Sequence, residues 1–326
     1  MASKTSPVSA LIIGAGPAGL ACTVSLSRLL HTSIVFSSNK FRNELASHMH
    51  GVPTWEHRSP TEFRNAFRKD ILKHYDTVAF EDVEIKKVEK IENGGADGRM
   101  LFKAVDENGR EWWGRRVVLA TGIKDIMLDL EGYDSCWVKG IFHCLFCHGF
   151  EERGAASAGV LAIDDCALGP IALYLARFAA RLADKITIYT NGDEVVAKGA
   201  NEALSKANPG SKTRKLISVD DRKITKLVKG PHESEVEVVF ENGERQTEGF
   251  LVHKPKGELN GPWVEQLGLE ITPKGDIKVN GPFGETSVAG VFSGGDCAVE
   301  MKAASVAISS GGAVGAGLAM SLGAEN

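Results

Sequence analysis

The chain has 326 residues, 43% hydrophobic and 25% charged, the composition of a folded globular protein. That length exceeds what one ordinary hydrophobic core organises and points to two domains. Its 38 basic and 42 acidic residues are mixed along the chain and leave a net charge of −4, which offers no basic surface to nucleic acid or to an anionic membrane.

The first residues, MASKTSPVSALIIGAG, lack the basic start, long apolar run and small-residue cleavage site of a secretory signal, so the expected location is cytoplasmic. Ala10 to Ile13 is a short apolar strand that runs into Gly14-Ala15-Gly16-Pro17-Ala18-Gly19. A helix then carries Leu20, Val24 and Leu26 toward Leu30, and a second apolar strand, Ser33 to Phe36, closes a βαβ unit. Glycines at these spacings allow a tight turn and let a pyrophosphate approach backbone N–H groups at the positive end of the helix. Pro17 suits a first helical turn, where its missing N–H is no loss. A G-x-G-x-x-G placed between strand and helix predicts a dinucleotide site. The carboxylate that such sites direct at the adenosine ribose is missing, and Ser37-Ser38-Asn39 stands there instead.

Strand-like segments at Thr77 to Val83, Met100 to Val105 and Trp112 to Leu119, separated by Asn93-Gly94-Gly95 and Asn108-Gly109 turns, predict a small antiparallel layer. It leads into the buried strand Val117 to Ala120, which ends in Thr121-Gly122.

Cys144 and Cys147 follow, within His143-Cys144-Leu145-Phe146-Cys147-His148. C-x-x-C-H is compatible with a covalent c-type haem, with zinc or with a redox dithiol. Haem attachment takes place after export, against the expected location. A closed zinc site needs four ligands and there is no second C-x-x-C, so no metal is expected. The redox pair is the leading reading. Cys22, Cys136, Cys166 and Cys297 are expected to be small core residues.

Gly159 to Ile163, Pro170 to Leu182 and Lys185 to Tyr189 form a second strand–helix–strand pattern. Asp164-Asp165-Cys166-Ala167-Leu168-Gly169 stands where its glycine fingerprint would be. Two carboxylates at a helix N-terminus favour the helix and repel a pyrophosphate. Near the end, Gly290 to Ala298 reads as a strand followed by Gly294-Gly295-Asp296. The uncharged segment Ala303 to Ala324 contains five Gly and four Ser, too weakly hydrophobic for a good membrane span. A buried helix packed closely on something flat is the expected form.

In this order, GAGPAG, ATG, the C-x-x-C and the late GGD resemble the low-molecular-weight thioredoxin reductase family over nearly the whole chain. The resemblance implies an α/β protein of two Rossmann-like three-layer nucleotide-binding domains. An FAD domain would comprise residues 1–125 and 254–326, and a central domain residues 126–253, carrying the cysteine pair. It implies that Asp296 bonds the ribityl chain of FAD. The helix beginning near Lys302-Ala303-Ala304 would point its N-terminus at the flavin. Ser37, Arg42, His50, Thr121 and Gly122 would complete the cofactor contacts with Gly14, Gly16, Pro17, Ala18 and Gly19. The family's central domain binds NADPH, but the pair Asp164-Asp165 and the lack of an arginine in Thr190 to Glu194 imply that this site is lost.

The branch combining a redox pair with no nicotinamide site is the FAD-dependent dithiol oxidases of the gliotoxin and holomycin type. His48-Met49-His50, Trp55-Glu56-His57-Arg58, Cys144 to Cys147 and Gly149 to Gly154 resemble its gliotoxin-type members. That resemblance implies a homodimer that closes the disulfide of a small-molecule dithiol of epidithiodiketopiperazine kind, with O₂ as acceptor and H₂O₂ released. Cys144 would be the exchanging sulfur and Cys147 the one facing the flavin. Most relatives carry Asp directly after the second cysteine, where this chain has His148. His148 is the first candidate for the base that makes thiolates, with His50 and His143 behind it. An NADPH-dependent thioredoxin reductase and a flavin-binding redox sensor without turnover are the alternatives.

Overall fold

A computed structural model describes residues 6–95, 98–208 and 210–324. The chain forms two compact units, Met1–Lys124 with Glu258–Asn326, and Asp125–Gly257. Residues 125 and 254–257 thus lie in the central unit. Two bonds tie its last segment there: the ring of His253 meets the Tyr133 hydroxyl at 2.7 Å, and the Lys254 N–H donates to Cys166 Sγ at 3.4 Å.

In the outer unit a parallel sheet runs Val291–Ser293, Glu111–Leu119, Val8–Ile13, Ser33–Phe36 and Val78–Glu81, with the two short strands Val279–Asn280 and Glu285–Thr286 added antiparallel at one edge. The antiparallel layer is Ile85–Ile91, Leu101–Asp106 and the first half of Glu111–Leu119. The strand Glu111–Leu119 changes sheets at Gly114, which is registered with both Phe102 and Val8. A Cβ at Gly114 would meet Leu11 Cγ at 2.7 Å, so this close crossing requires glycine.

The segment expected at Thr77 to Val83 therefore sits in the parallel sheet, and Ile85–Ile91, unread in the sequence, takes its place in the antiparallel layer. The cause is a register shift between Ile85 and Lys87. That bulge leaves Ile85, Val88 and Ile91 three residues apart and hides the two-residue period of a strand.

The helix Pro17–Ser27 is shorter than expected: Arg28 caps it, and Leu29 and Leu30 are exposed. Together with Ala304–Gly323 it covers a core of Ile12, Leu26, Val35, Phe292 and Leu318 on one face of the sheet. The other face packs Leu11, Phe36, Phe102, Trp112 and Val117 under the antiparallel layer.

Ala304–Gly323 is long and apolar enough to cross a membrane by length and composition. Here it lies against the helix Pro17–Ser27, closer than any side chain would permit. A Cβ at Gly311 would fall 2.0 Å from the Ala18 carbonyl oxygen, and one at Gly315 would fall 2.6 Å from Ser25 Cβ. Gly311 and Gly315 thus serve a close helix–helix contact, not the flat surface expected.

The central unit has a parallel sheet in the order Ile217–Asp220, Ile186–Tyr189, Ala158–Leu161, Leu251–Val252, Ile141–Phe142. The helices Gly169–Ala179 and Glu194–Ser205 pack Ala172, Leu173, Ala176, Val196 and Ala200 into its core. A three-stranded antiparallel sheet, Ile224–Lys229, Val236–Phe240 and Arg245–Glu248, completes the unit.

Candidate functional site: a disulfide turn and a glycine cradle

Cys144 and Cys147 are joined in a disulfide, with Cα atoms 5.2 Å apart, and the other four cysteines are free and buried, as expected. The pair lies directly beyond the strand Ile141–Phe142, at the carboxyl end of a parallel sheet, where such sheets place their ligands. The N–H groups of Cys147 and His148 both donate to the Cys144 carbonyl at 3.0 Å, which closes a tight turn on the two sulfurs. Both cysteines are half-buried.

His148 is locked on two sides. Its ring stacks on Phe142, with centroids 3.9 Å apart and 15° between planes, and its Nε2 meets Glu152 Oε1 at 2.7 Å. Glu152 is almost fully buried, and the Ser234 hydroxyl also donates to Oε1, at 2.8 Å. A carboxylate on Nε2 places the ring proton there and leaves Nδ1 as the basic atom. Sequence reading overlooked Glu152. Its signal was the four-residue spacing from His148, one helical turn, made here by the short 3₁₀ turn Phe150–Glu152. His143 stacks on Trp137 with centroids 5.8 Å apart.

In the outer unit the three fingerprint glycines have three separate roles. Gly14 has φ +110°, a left-handed turn, and a Cβ there would fall 2.2 Å from the Ala120 oxygen. A Cβ at Gly19 would fall 1.9 Å from the Gly14 oxygen, so helix and strand pack backbone to backbone. A Cβ at Gly16 would meet no described atom within 4 Å. Of the three, Gly16 alone leaves its backbone open to a ligand. Pro17 opens the helix, and Ala18 is buried against the helix Ala304–Gly323.

Beside this turn a cavity of about 200 Å³ is lined by Ala15, Ser37, Asn39, Phe41 and Arg64. Ser37 donates its hydroxyl to Asn39 Oδ1 at 3.0 Å. Arg64, missed in the sequence, is buried and bonds Asn43 Oδ1 and Thr61 Oγ1, both at 2.9 Å.

The remaining expected residues are placed as follows. Thr121 Oγ1 is shielded from solvent and has no partner among the described residues, and Gly122 has φ +66°. Asp296 accepts from Arg42 at 3.1 Å. The Lys302 ammonium bonds Asp276 and the Val299 carbonyl. Ala303 is the N-cap of the last helix and Ala304 its first residue, and no side chain caps the N–H groups there. His50 Nδ1 meets Glu56 Oε2 at 2.9 Å, with the His57 ring edge-on at 4.6 Å. The bond from His50, helped by the Gly51 N–H, holds the Glu56 carboxyl below its usual range. These three residues gather their donor atoms within 4.8 Å of one another, which the sequence, read as holding no metal site, did not indicate.

The open cradle at Gly16, the orphaned Thr121 hydroxyl and the uncapped helix at Ala304 fit a dinucleotide flavin bound along the carboxyl edge of the outer sheet.

Compared with known families, residues 8–311 match the pyridine nucleotide-disulphide oxidoreductases. The chain belongs to that family. A protein named thioredoxin reductase sirT, from Leptosphaeria maculans, is 39% identical over 98% of this chain and 95% of its own length. One named thioredoxin reductase aclD, from Aspergillus oryzae, is 40% identical over 96% and 95%. The crystal structure of an oxidoreductase from Agrobacterium tumefaciens shares the fold with a TM-score of 0.83 at 24% identity, covering 98% of this chain and 100% of that one. This oxidoreductase is thus of the thioredoxin-reductase type, in a family of flavoproteins, with two Rossmann-like domains.

Proposed function

We propose that the protein is an FAD-dependent dithiol oxidase, which closes a disulfide in a small-molecule dithiol of natural-product kind and releases H₂O₂ from O₂. One observation carries this reading over an NADPH-dependent reductase. In the central unit, Cys166 stands in the sequence where the fingerprint's second glycine, Gly16 in the outer unit, would be. Its side chain is buried, and its sulfur is bonded to the backbone N–H and carbonyl of Lys254 at 3.4 and 3.6 Å. Asp164 occupies the left-handed corner at φ +51°, paired with Lys256 at 3.3 Å. Gly169 remains, but it serves contact with Gly199 of the next helix, whose carbonyl carbon lies 2.3 Å from where its Cβ would be. A phosphate brought to this turn meets two carboxylates and no glycine at the position Gly16 holds in the outer unit.

In the proposed reaction one substrate thiolate attacks Cys144 Sγ. The Cys144–Cys147 bond breaks, Cys147 leaves as a thiolate, and a mixed disulfide forms. The second substrate thiol loses its proton and attacks the substrate sulfur of that mixed disulfide. Cys144 leaves as a thiolate, and the substrate departs as a disulfide, having lost two electrons and two protons. His148 accepts thiol protons at Nδ1, while Glu152 holds its tautomer and orientation. FAD, when bound, would supply the two-electron oxidant that the reduced pair needs, with O₂ as the final acceptor. Gly14, Gly16 and Gly19, the cavity beside Ser37, Thr121, Asp296 with Arg42, and the N-terminus at Ala304 are the groups assigned to hold it. Lys302 is assigned a supporting role through Asp276, and His50 a place at the flavin. A homodimer, testable by light scattering, completes the reading.

The test is anaerobic mixing of the yellow enzyme with dithiothreitol or with NADPH. The dithiol is expected to bleach the flavin within seconds, and admitted air to return the colour with one H₂O₂ per disulfide. Rapid bleaching by micromolar NADPH would replace this reading with the reductase one.

A further inference from the structure

The disulfide turn carries an exposed aromatic platform that the reaction chemistry leaves unexplained. Phe146, between the two cysteines, is 77% exposed. Its ring stands edge-on to Phe178, with centroids 5.1 Å apart, and Phe178 stands edge-on to Tyr174 at 4.4 Å. Phe178 and Tyr174 lie on the helix Gly169–Ala179, whose opposite side fills the core with Ala172, Leu173 and Ala176. Tyr174 is 55% exposed, and Leu168 and Ile171 continue the apolar strip. Contiguous apolar surface of this kind marks a binding site more often than chance, and edge-to-face rings hold it in one shape.

We propose that Phe146, braced by Phe178 and Tyr174, is the specificity platform of this enzyme. It holds the apolar, ring-bearing carbon skeleton of a small substrate while the substrate's sulfur exchanges with Cys144. This deepens the oxidase reading and rests on it for the identity of the reaction. Two arguments favour a small molecule over a protein. Phe146 shares a four-residue turn with both sulfurs, so a group covalently joined to Cys144 lies within reach of its ring. Even with each side chain's full surface taken at roughly 250 Å², the exposed parts of the three rings together with Leu168 and Ile171 stay below the area of about 800 Å² that each partner of a stable protein complex buries. Ring stacking, not charge, is what the surface supplies.

The experiment separates the platform from the oxidase chemistry. In full-length Cys147→Ser protein, Cys144 is the one thiol that is not buried, and its labelling by benzyl methanethiosulfonate and by 2-hydroxyethyl methanethiosulfonate is followed by mass spectrometry. Both reagents form a disulfide on Cys144 and release methanesulfinate, so their rate ratio reads recognition alone. Adding Phe146→Ala is expected to lower the benzyl-to-hydroxyethyl ratio about tenfold, the size of a lost aromatic contact plus its buried area. Phe146→Leu, which keeps the apolar bulk, should lower it less.

In the enzyme with both cysteines, Phe146→Ala should likewise lower the kcat/KM ratio of benzene-1,2-dimethanethiol to dithiothreitol, through KM for the aromatic dithiol. An unchanged labelling ratio overturns the platform. So does a change of molecular mass by light scattering in Phe146→Ala, which would make the rings a contact between copies. A lowered labelling ratio in a protein that oxidises neither dithiol supports the platform and rejects the oxidase.

Discussion

Replacing Gly16 by Ala separates folding from cofactor binding at a single carbon atom. Gly16 has φ −74° and ψ −178°, extended backbone open to any L-residue, and its added Cβ meets no described atom within 4 Å. In the cofactor-free protein the methyl group therefore has nothing to displace. It also restricts the unfolded chain, a gain of about 0.4–1 kcal/mol, so the apoprotein Tm should hold or rise by roughly 1–3 °C. The space it enters is the one where a pyrophosphate would meet the backbone. Losing one hydrogen bond to a charged group there, about 1.5–3 kcal/mol, weakens FAD roughly 10- to 200-fold. Gly19→Ala is the control. Its Cβ would lie 1.9 Å from the Gly14 oxygen, so backbone must move, and the apoprotein should lose about 1–3 kcal/mol. The assay is circular-dichroism melting of the apoproteins, then flavin titration followed by fluorescence. Wild-type FAD affinity in Gly16→Ala, or an apoprotein Tm that falls as far as that of Gly19→Ala, would refute the reasoning.

Gly311→Ala places a Cβ 2.0 Å from the Ala18 carbonyl oxygen and should cost about 1–3 kcal/mol in chemical denaturation, whereas Gly323→Ala, with no neighbour within 4 Å, should cost almost nothing. Burial holds the His253 imidazole down at about 4, against 6.5 for the free group, so the unfolded chain takes up a proton between those values while the folded one does not. The stability this residue confers is complete above pH 6.5 and falls by about 3 kcal/mol as the pH drops to 4. Urea denaturation of His253→Gln across that range should lack this slope, and an identical slope would count against the buried neutral ring. Cys144→Ser and Cys147→Ser should each abolish disulfide formation, and substrate trapped as a mixed disulfide should appear by mass spectrometry only in Cys147→Ser. Glu152→Gln keeps a partner for Ser234 but not the carboxylate on His148, so turnover should fall roughly 10- to 100-fold at pH 7 and recover toward pH 9, where thiols ionise unaided. An equal loss at every pH would show Glu152 to be structural.

The local patterns were legible because they need few residues to declare themselves. A strand, three glycines and a helix are one continuous stretch, and the cysteine pair is two residues with a fixed spacing, so Gly14 to Gly19 and Cys144–Cys147 could be read directly. The strand Ile85–Ile91 could not, because its bulge erased the period on which strand reading depends.

By itself the sequence determined the α/β class, the two strand–helix–strand units, the closely spaced cysteine pair and the absence of glycines from Asp164 to Leu168, all properties of neighbours along the chain. The tertiary structure decided what no spacing could express. It assigned Gly311 and Gly315 to a helix contact, bonded Cys166 to the backbone of Lys254, and set the Ser234 hydroxyl on the Glu152 carboxylate. It also brought Phe178 to the side of Phe146. These contacts join residues up to several hundred positions apart, and packing density and buried polar pairing select them only once the whole chain has closed on itself.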